Sequence, residues 1–205
     1  MAVLESIDHF IASLQLDEIP KKRKAQLQHL VDFIQNKVQE DSSIKLNFIC
    51  THNSRRSILT QVWAQTFAYY FKLKQFQSYS GGTEPTAVYS LVLKTLENIG
   101  FQVTLISSTK NPIYAIKFSQ NEPAIVGFSK TYDHNFNPKS EFAAILTCSQ
   151  ADSSCPFIAG AEKRISITFE DPKSFDNTPQ QSKKYFESNL QIATELFYVF
   201  SKINT

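Results

Sequence analysis

The sequence predicts an α/β fold built on a central four-stranded parallel sheet flanked by helices, and three observations carry that reading. Short apolar runs at residues 46–49, 142–147 and 165–169 have the length and composition of buried strands, and residues 75–80 read as a further strand. Helical periodicity follows the first run through Ile58, Val62 and Phe67, and a second helical segment, 85–99, follows the second. This β-α-β-α order implies parallel strands joined by right-handed crossovers. Ligands of such sheets bind beyond the carboxyl ends of the strands, and two of the runs end there in a cysteine, Cys50 and Cys148.

With 205 residues, 42% of them hydrophobic and only five glycines, the chain suits one ordinary globular domain with an appended piece. The net charge of +2 points to no class of partner. No apolar run approaches a membrane span, and a start containing Glu5 and Asp8 does not read as a signal peptide. Three cysteines, an odd number, fit a reducing compartment where thiols do chemistry, so the expected location is cytoplasmic.

Residues 1–43 read as a helical extension, a hairpin of two helices ahead of a catalytic domain at 44–205. Ile7, Phe10, Ile11 and Leu14 mark the first; Pro20 opens the second, with Leu27, Leu30, Val31, Ile34 and Val38 on one stripe. The run Lys21-Lys22-Arg23-Lys24 is expected to be a solvated first turn rather than a nucleic-acid patch, because no second basic cluster or aromatic accompanies it.

The most informative stretch is KLNFICTHNSRRSILTQVW, residues 45–63. It places Cys50 where a strand hands over to a helix N-terminus. There the N–H groups of Thr51, His52, Asn53, Ser54 and Arg55, with the positive end of the helix dipole, converge on a concave oxyanion site and favour a thiolate. Cys50 is the candidate nucleophile, Arg56 offers a planar fork to two oxygens, and Ser57 can donate its hydroxyl to the sulfur. Asn53 tolerates the left-handed conformation that a tight turn needs. A buried structural cysteine with an arginine nearby is the bland alternative.

Trp63, Phe67 and Tyr70 on the following helix are expected to pack the core. Gly81 and Gly82 are expected to turn the chain after the second strand, and Gly100 to stop the second helix. Residues 111–128, two apolar runs around SQNEP, read as an inserted β-hairpin, and residues 129–138 as a polar exposed loop. Cys148 and Cys155 do not make a zinc site, since the four histidines lack paired spacing with them, and no metal is expected; they read either as structural thiols or as redox partners. Asp171 precedes a proline and should be extended on a loop at the same edge, as a solvated acid or a proton donor. Thr178 to Gln181 reads as a capping box opening the final helix, whose inner side carries Tyr185, Leu190, Ala193, Leu196, Phe197 and Phe200.

CTHNSRRS resembles the Cys-x5-Arg-Ser phosphate loop of the low-molecular-weight protein tyrosine phosphatases and of the thioredoxin-coupled arsenate reductases built on the same fold. The second group is the closer match. YSGGTEPTAVYSLVLKTLENIGF (79–101), CSQADSSCP (148–156) and FEDP (169–172) are similar to its second strand and helix, its paired-cysteine segment and its Asp-Pro loop. The resemblance covers about 44–203. It implies a flavodoxin-like winding, Asp171 as general acid, and a relay in which Cys148 and Cys155 carry oxidation away from Cys50 to thioredoxin, with mobility around 149–155 and no bound cofactor. His52 stands where the family usually has glycine and Arg55 where it usually has cysteine. Gln61 replaces a glutamate that often helps bind potassium. The same loop supports a phosphatase that hydrolyses phosphomonoesters through a phosphocysteine, using only Cys50, Arg56, Ser57 and Asp171. A non-catalytic module that binds an oxyanion or a partner is a third reading.

Overall fold

A computed structural model describes residues 2–154 and 157–204. Its four-stranded sheet has the order β2-β1-β6-β7, all parallel: β1 (Ile44–Cys50), β2 (Phe76–Gly82), β6 (Phe142–Leu146) and β7 (Ala161–Ser166). The helices are α1 (Glu5–Ala12), α2 (Lys21–Gln39), α3 (Arg56–Tyr70), α4 (Ser90–Ile99), α5 (Ser149–Ser154) and α6 (Gln181–Ser201). This is the α/β fold expected, a parallel four-stranded sheet flanked by helices.

Strand alternation divides the sheet's side chains between two cores. Leu46, Phe48, Ala143, Ile145 and Ile165 join the main core, which also takes in α1, α2, α3, α4 and α6. Ile49, Ala144 and Leu146 face the other way, against Cys50, Cys148, Ala151 and Ile158. Trp63, fully buried, sits at the junction of the main core: its ring stacks on Phe10 of α1 and on Phe67, meets Phe101 edge-on, and its Nε1 donates to Asn189 of α6 at 2.9 Å. The two N-terminal helices therefore share one core with the rest of the fold, α1 lying on α4 and α2 on α6 and β7.

The structure refines several boundaries. Glycines 81 and 82 do not turn the chain; they end β2, where a Cβ on Gly81 would fall on the Tyr132 backbone and one on Gly82 would lie 2.6 Å from the Thr51 carbonyl oxygen. Helix α4 starts at Ser90, not near Pro85, because the segment before it spends its amides elsewhere: Glu84 N donates to Thr51 O, Thr86 N to Ser129 Oγ and Tyr89 N to Ser54 O. Gly100 stops that helix at φ 121°, as expected. β7 lies earlier than the apolar run 165–169, since its pairing to β6 recruits the charged Glu162, Lys163 and Arg164, residues that suit a sheet edge. No capping box forms at α6: the Thr178 hydroxyl donates to Phe175 O, and the Gln181 amide to Tyr89 Oη and Asp176.

The inserted hairpin is present as β4 (Ile113–Lys117) and β5 (Ile125–Gly127), antiparallel, and β3 (Gln102–Ser107) pairs with β4 to make a separate three-stranded sheet. Residues 129–138 are not simply an exposed loop. Ser129, Lys130 and Asn137 are buried, Thr131 bridges to Gly82, and the Asn137 amide donates to the carbonyls of Ser80, Thr131 and Tyr132. Residues 149–154, expected to be mobile, form α5, which Asp152 fastens to β7 through Arg164 and the Ser166 hydroxyl.

Gly82→Ala should cost about 1–3 kcal/mol of stability, because backbone and not a flexible side chain stands in the way; urea unfolding measures it, and a neutral result would contradict the close approach of β2 to the loop.

Candidate oxyanion site

The loop between β1 and α3 presents its amides because its carbonyls are taken from outside. Cys50 O accepts from Thr83 N at 3.3 Å, Thr51 O from Glu84 N at 2.8 Å, His52 O from Ser129 Oγ at 2.8 Å, and Ser54 O from Tyr89 N at 3.1 Å. With four of the five carbonyls from Cys50 to Ser54 anchored, the N–H groups of Thr51 to Arg55 are left free, and none donates to a protein acceptor among the described residues. Such a nest at the start of the fifteen-residue α3 has the geometry that attracts an anion.

Asn53 is the hinge, in the left-handed region at φ 45° as expected, whereas His52 has no positive φ and so needs no glycine. Asn53 Oδ1 accepts from Lys130 N at 3.0 Å, which orients its amide so that Nδ2 donates to Ser57 Oγ at 2.9 Å. Ser57 Oγ lies 3.1 Å from Cys50 Sγ. Because Ser57 already accepts from Asn53, its own proton is left for the sulfur. The His52 ring turns aside to Glu84 O at 3.2 Å.

The two arginines diverge. Arg56 Nη1 donates to Phe169 O at 2.9 Å, Nη2 pairs with Asp171 Oδ2, and Nε is buried with no partner among the described residues. Its side-on fork thus has one prong free and one on Asp171. Asp171 is extended as expected and accepts from Lys173 N with its other oxygen. Arg55 does not face the rim or the solvent. Its guanidinium lies 4.2 Å over the Tyr89 ring, with Nε donating to Tyr185 Oη at 2.5 Å and Nη2 pairing with Asp176 at 2.7 Å. Burial would lower the Arg55 pKa, but Tyr185 and Asp176 outweigh it and the net shift is upward. Tyr185 in turn donates to Asp176 at 2.6 Å, and burial followed by that bond raises its pKa.

Cys148 ends up beside the loop. Its sulfur lies 3.5 Å from the hydroxyl of Thr51, the residue after Cys50, and accepts from Ala151 N at 3.3 Å. Cys50 and Cys148 are both buried free thiols. Cys155 lies outside the described residues. Gln61 spends its amide on Ser78 O and the Ser80 hydroxyl, and no cluster of three or more metal-ligating side chains occurs among the described residues. Among the described residues no helix is long and apolar enough to cross a membrane.

Sequence reasoning missed Tyr89, Lys130, Asp176 and Tyr185. Nothing local marks them; each acquires its role from a partner more than thirty residues away. Lys130 is buried against Phe128 and Phe136, 4.3 and 5.4 Å from their ring centroids, and desolvation lowers its pKa to about 7.

No family model matches the chain. In sequence it is 27% identical over 125 residues to a protein named arsenate reductase 2 from Staphylococcus epidermidis, covering 61% of this chain and 76% of that one; a protein of the same name from Staphylococcus haemolyticus matches with the same identity and coverage. In fold it resembles a low-molecular-weight phosphotyrosine phosphatase from Vibrio cholerae O395 (TM-score 0.51, 12% identity, 78% of this chain and 95% of that one). It also resembles an arsenate reductase in its phosphate-binding state (TM-score 0.50, 17% identity, 78% and 99%). The similarity expected from the Cys50 loop is therefore found in both sequence and fold.

The Lys130 amine gives a signed pH dependence. Between about pH 7 and the ordinary lysine value of 10.5 the unfolded chain holds a proton that the folded chain has lost, so stability rises with pH in that window, by at most about 1.4 kcal/mol per unit. Lys130→Met should remove that slope; equal slopes for the two proteins in urea titrations from pH 7 to 9 would refute it.

Proposed function

We propose that the protein is an arsenate reductase that uses Cys50 as nucleophile and a disulfide relay to complete turnover. The observation that carries this reading is the second thiol at the loop: Cys148 touches Thr51, next to Cys50, a placement that phosphoester hydrolysis does not require. The similarity to proteins named arsenate reductase supports it.

The Cys50 thiolate attacks arsenic(V) held by the amides of Thr51 to Arg55 and by the Arg56 fork, while Asp171 protonates the departing oxygen, so an S–As bond replaces an As–O bond. The Cys148 thiolate then attacks the Cys50 sulfur. The S–As bond breaks with its electron pair on arsenic, arsenite leaves, and a Cys50–Cys148 disulfide remains. Cys155 attacks Cys148, Cys50 returns as thiolate, and an external dithiol protein of the thioredoxin class reduces Cys148–Cys155.

The Asn53–Ser57–Cys50 chain, Arg56 and Asp171 alone suit a phosphatase acting through phosphocysteine, and the same assay separates the two. Arsenate reduction with a thioredoxin system and p-nitrophenyl phosphate hydrolysis are measured on the wild type, Cys148→Ser and Cys155→Ser. Reduction is expected to stop in both variants while hydrolysis persists; hydrolysis alone, equal in all three proteins, would make this a phosphatase. Asp171→Asn is expected to lower whichever activity is present by about 10²-fold or more in kcat, and an unchanged kcat would remove Asp171 from the chemistry.

A further inference from the structure

Three arginines hold the acid segment that runs from Thr168 to Asp176, and they differ in what else they do. Arg56 meets it in the middle, at Phe169 O and Asp171. Arg55 holds the far end through Asp176, itself wedged against Tyr185 and Gln181. Arg23 holds the near end: from the first turn of α2 it donates to Thr168 O at 3.0 Å and lies 5.1 Å over the Phe169 ring. Two further bonds, at 2.9 and 2.7 Å, fix Arg23 on Glu195, a residue of α6 that is only 4% exposed. The basic run 21–24 is thus not wholly a solvated turn.

Arg56 faces a conflict that the other two do not. An oxyanion seated on the loop amides is gripped side-on by Nε and Nη2, and Nη2 is on Asp171. Capture of the anion therefore draws Arg56 off the carboxylate at the moment when Asp171 must keep its place to donate a proton. Taken alone, that exchange would release the acid segment.

We infer that Arg23 and Arg55 are positioning residues that clamp the two ends of the acid segment, so that Arg56 can pass from Asp171 to the oxyanion without the segment opening. The helical extension that carries Arg23 thereby takes part in the chemistry although it touches no substrate. The inference rests on reading the Cys50 loop as the oxyanion site and Asp171 as the proton donor.

The test is hydrogen exchange of residues 168–176 in the wild type, Arg23→Ala and the near-isosteric Asp176→Asn, each with and without saturating inorganic phosphate, which binds without being reduced. The wild-type segment should stay protected in both conditions. In each variant it should resemble wild type without phosphate and exchange about tenfold faster with it, because once phosphate draws Arg56 off Asp171 a single end clamp is left to hold the segment. Equal loosening with and without phosphate, or none at all, would overturn the clamp and leave two ordinary structural arginines. Protection of Cys50 from alkylation by phosphate is read in the same samples. Its absence in the wild type brings down the oxyanion reading and the clamp together, whereas its presence with unaltered exchange in the variants brings down the clamp alone.

Discussion

A loop that offers its amides to an anion must first find other partners for its carbonyls, and most of the architecture around Cys50 answers that requirement. The donors come from two stretches: residues 83–89, which stay out of helix to deliver Thr83, Glu84 and Tyr89, and Ser129 of the segment that follows β5. Gly82 lets β2 approach closely enough for this to happen, with the loop backbone where a Cβ would stand. A late start for α4 and a buried 129–130 pair are consequences of the same demand. Without these anchors the amides would compete for their own carbonyls, and the nest would collapse into an ordinary turn.

Adjacent arginines in one loop look redundant in sequence but separate completely in space. Arg55 is sandwiched between aromatic and carboxylate partners, a setting that fixes a guanidinium more firmly than an exposed ion pair. Arg56 keeps a buried unpaired Nε next to the nest, and an unsatisfied buried donor is costly unless something fills its place part of the time. One arginine is structure and the other is held in readiness.

The strand-to-helix handover at Cys50, the left-handed Asn53 and the extended Asp171 were legible in the sequence because each follows from local chemistry: an apolar run ending at a polar turn, a residue tolerant of positive φ, a residue before proline. The four sheet strands were legible too, although β7 drifted because an edge strand carries charges where a central one carries valine and leucine. What stayed hidden depends on distance. Tyr89, Lys130, Asp176 and Tyr185 gain their meaning from partners between 34 and 130 residues away, and no spacing rule spans that gap. The partners of Arg55 were hidden for the same reason: its neighbours in space are not its neighbours in the chain. β3 escaped notice because its pairing with β4 leaves most of its side chains outside, without the alternation that marks a half-buried strand.

The bond between Arg23 and Glu195 joins residues 172 positions apart. During synthesis α2 leaves the ribosome with its stripe of Leu27, Leu30, Val31 and Ile34 uncovered, and the α6 face that buries it follows only after roughly 10 to 30 s of further elongation. For that interval the nascent helix is a sticky amphipathic segment with no mate. Its lysines 21, 22 and 24 and the polar back of the helix then serve a second purpose, keeping the waiting chain in solution until the two ends meet.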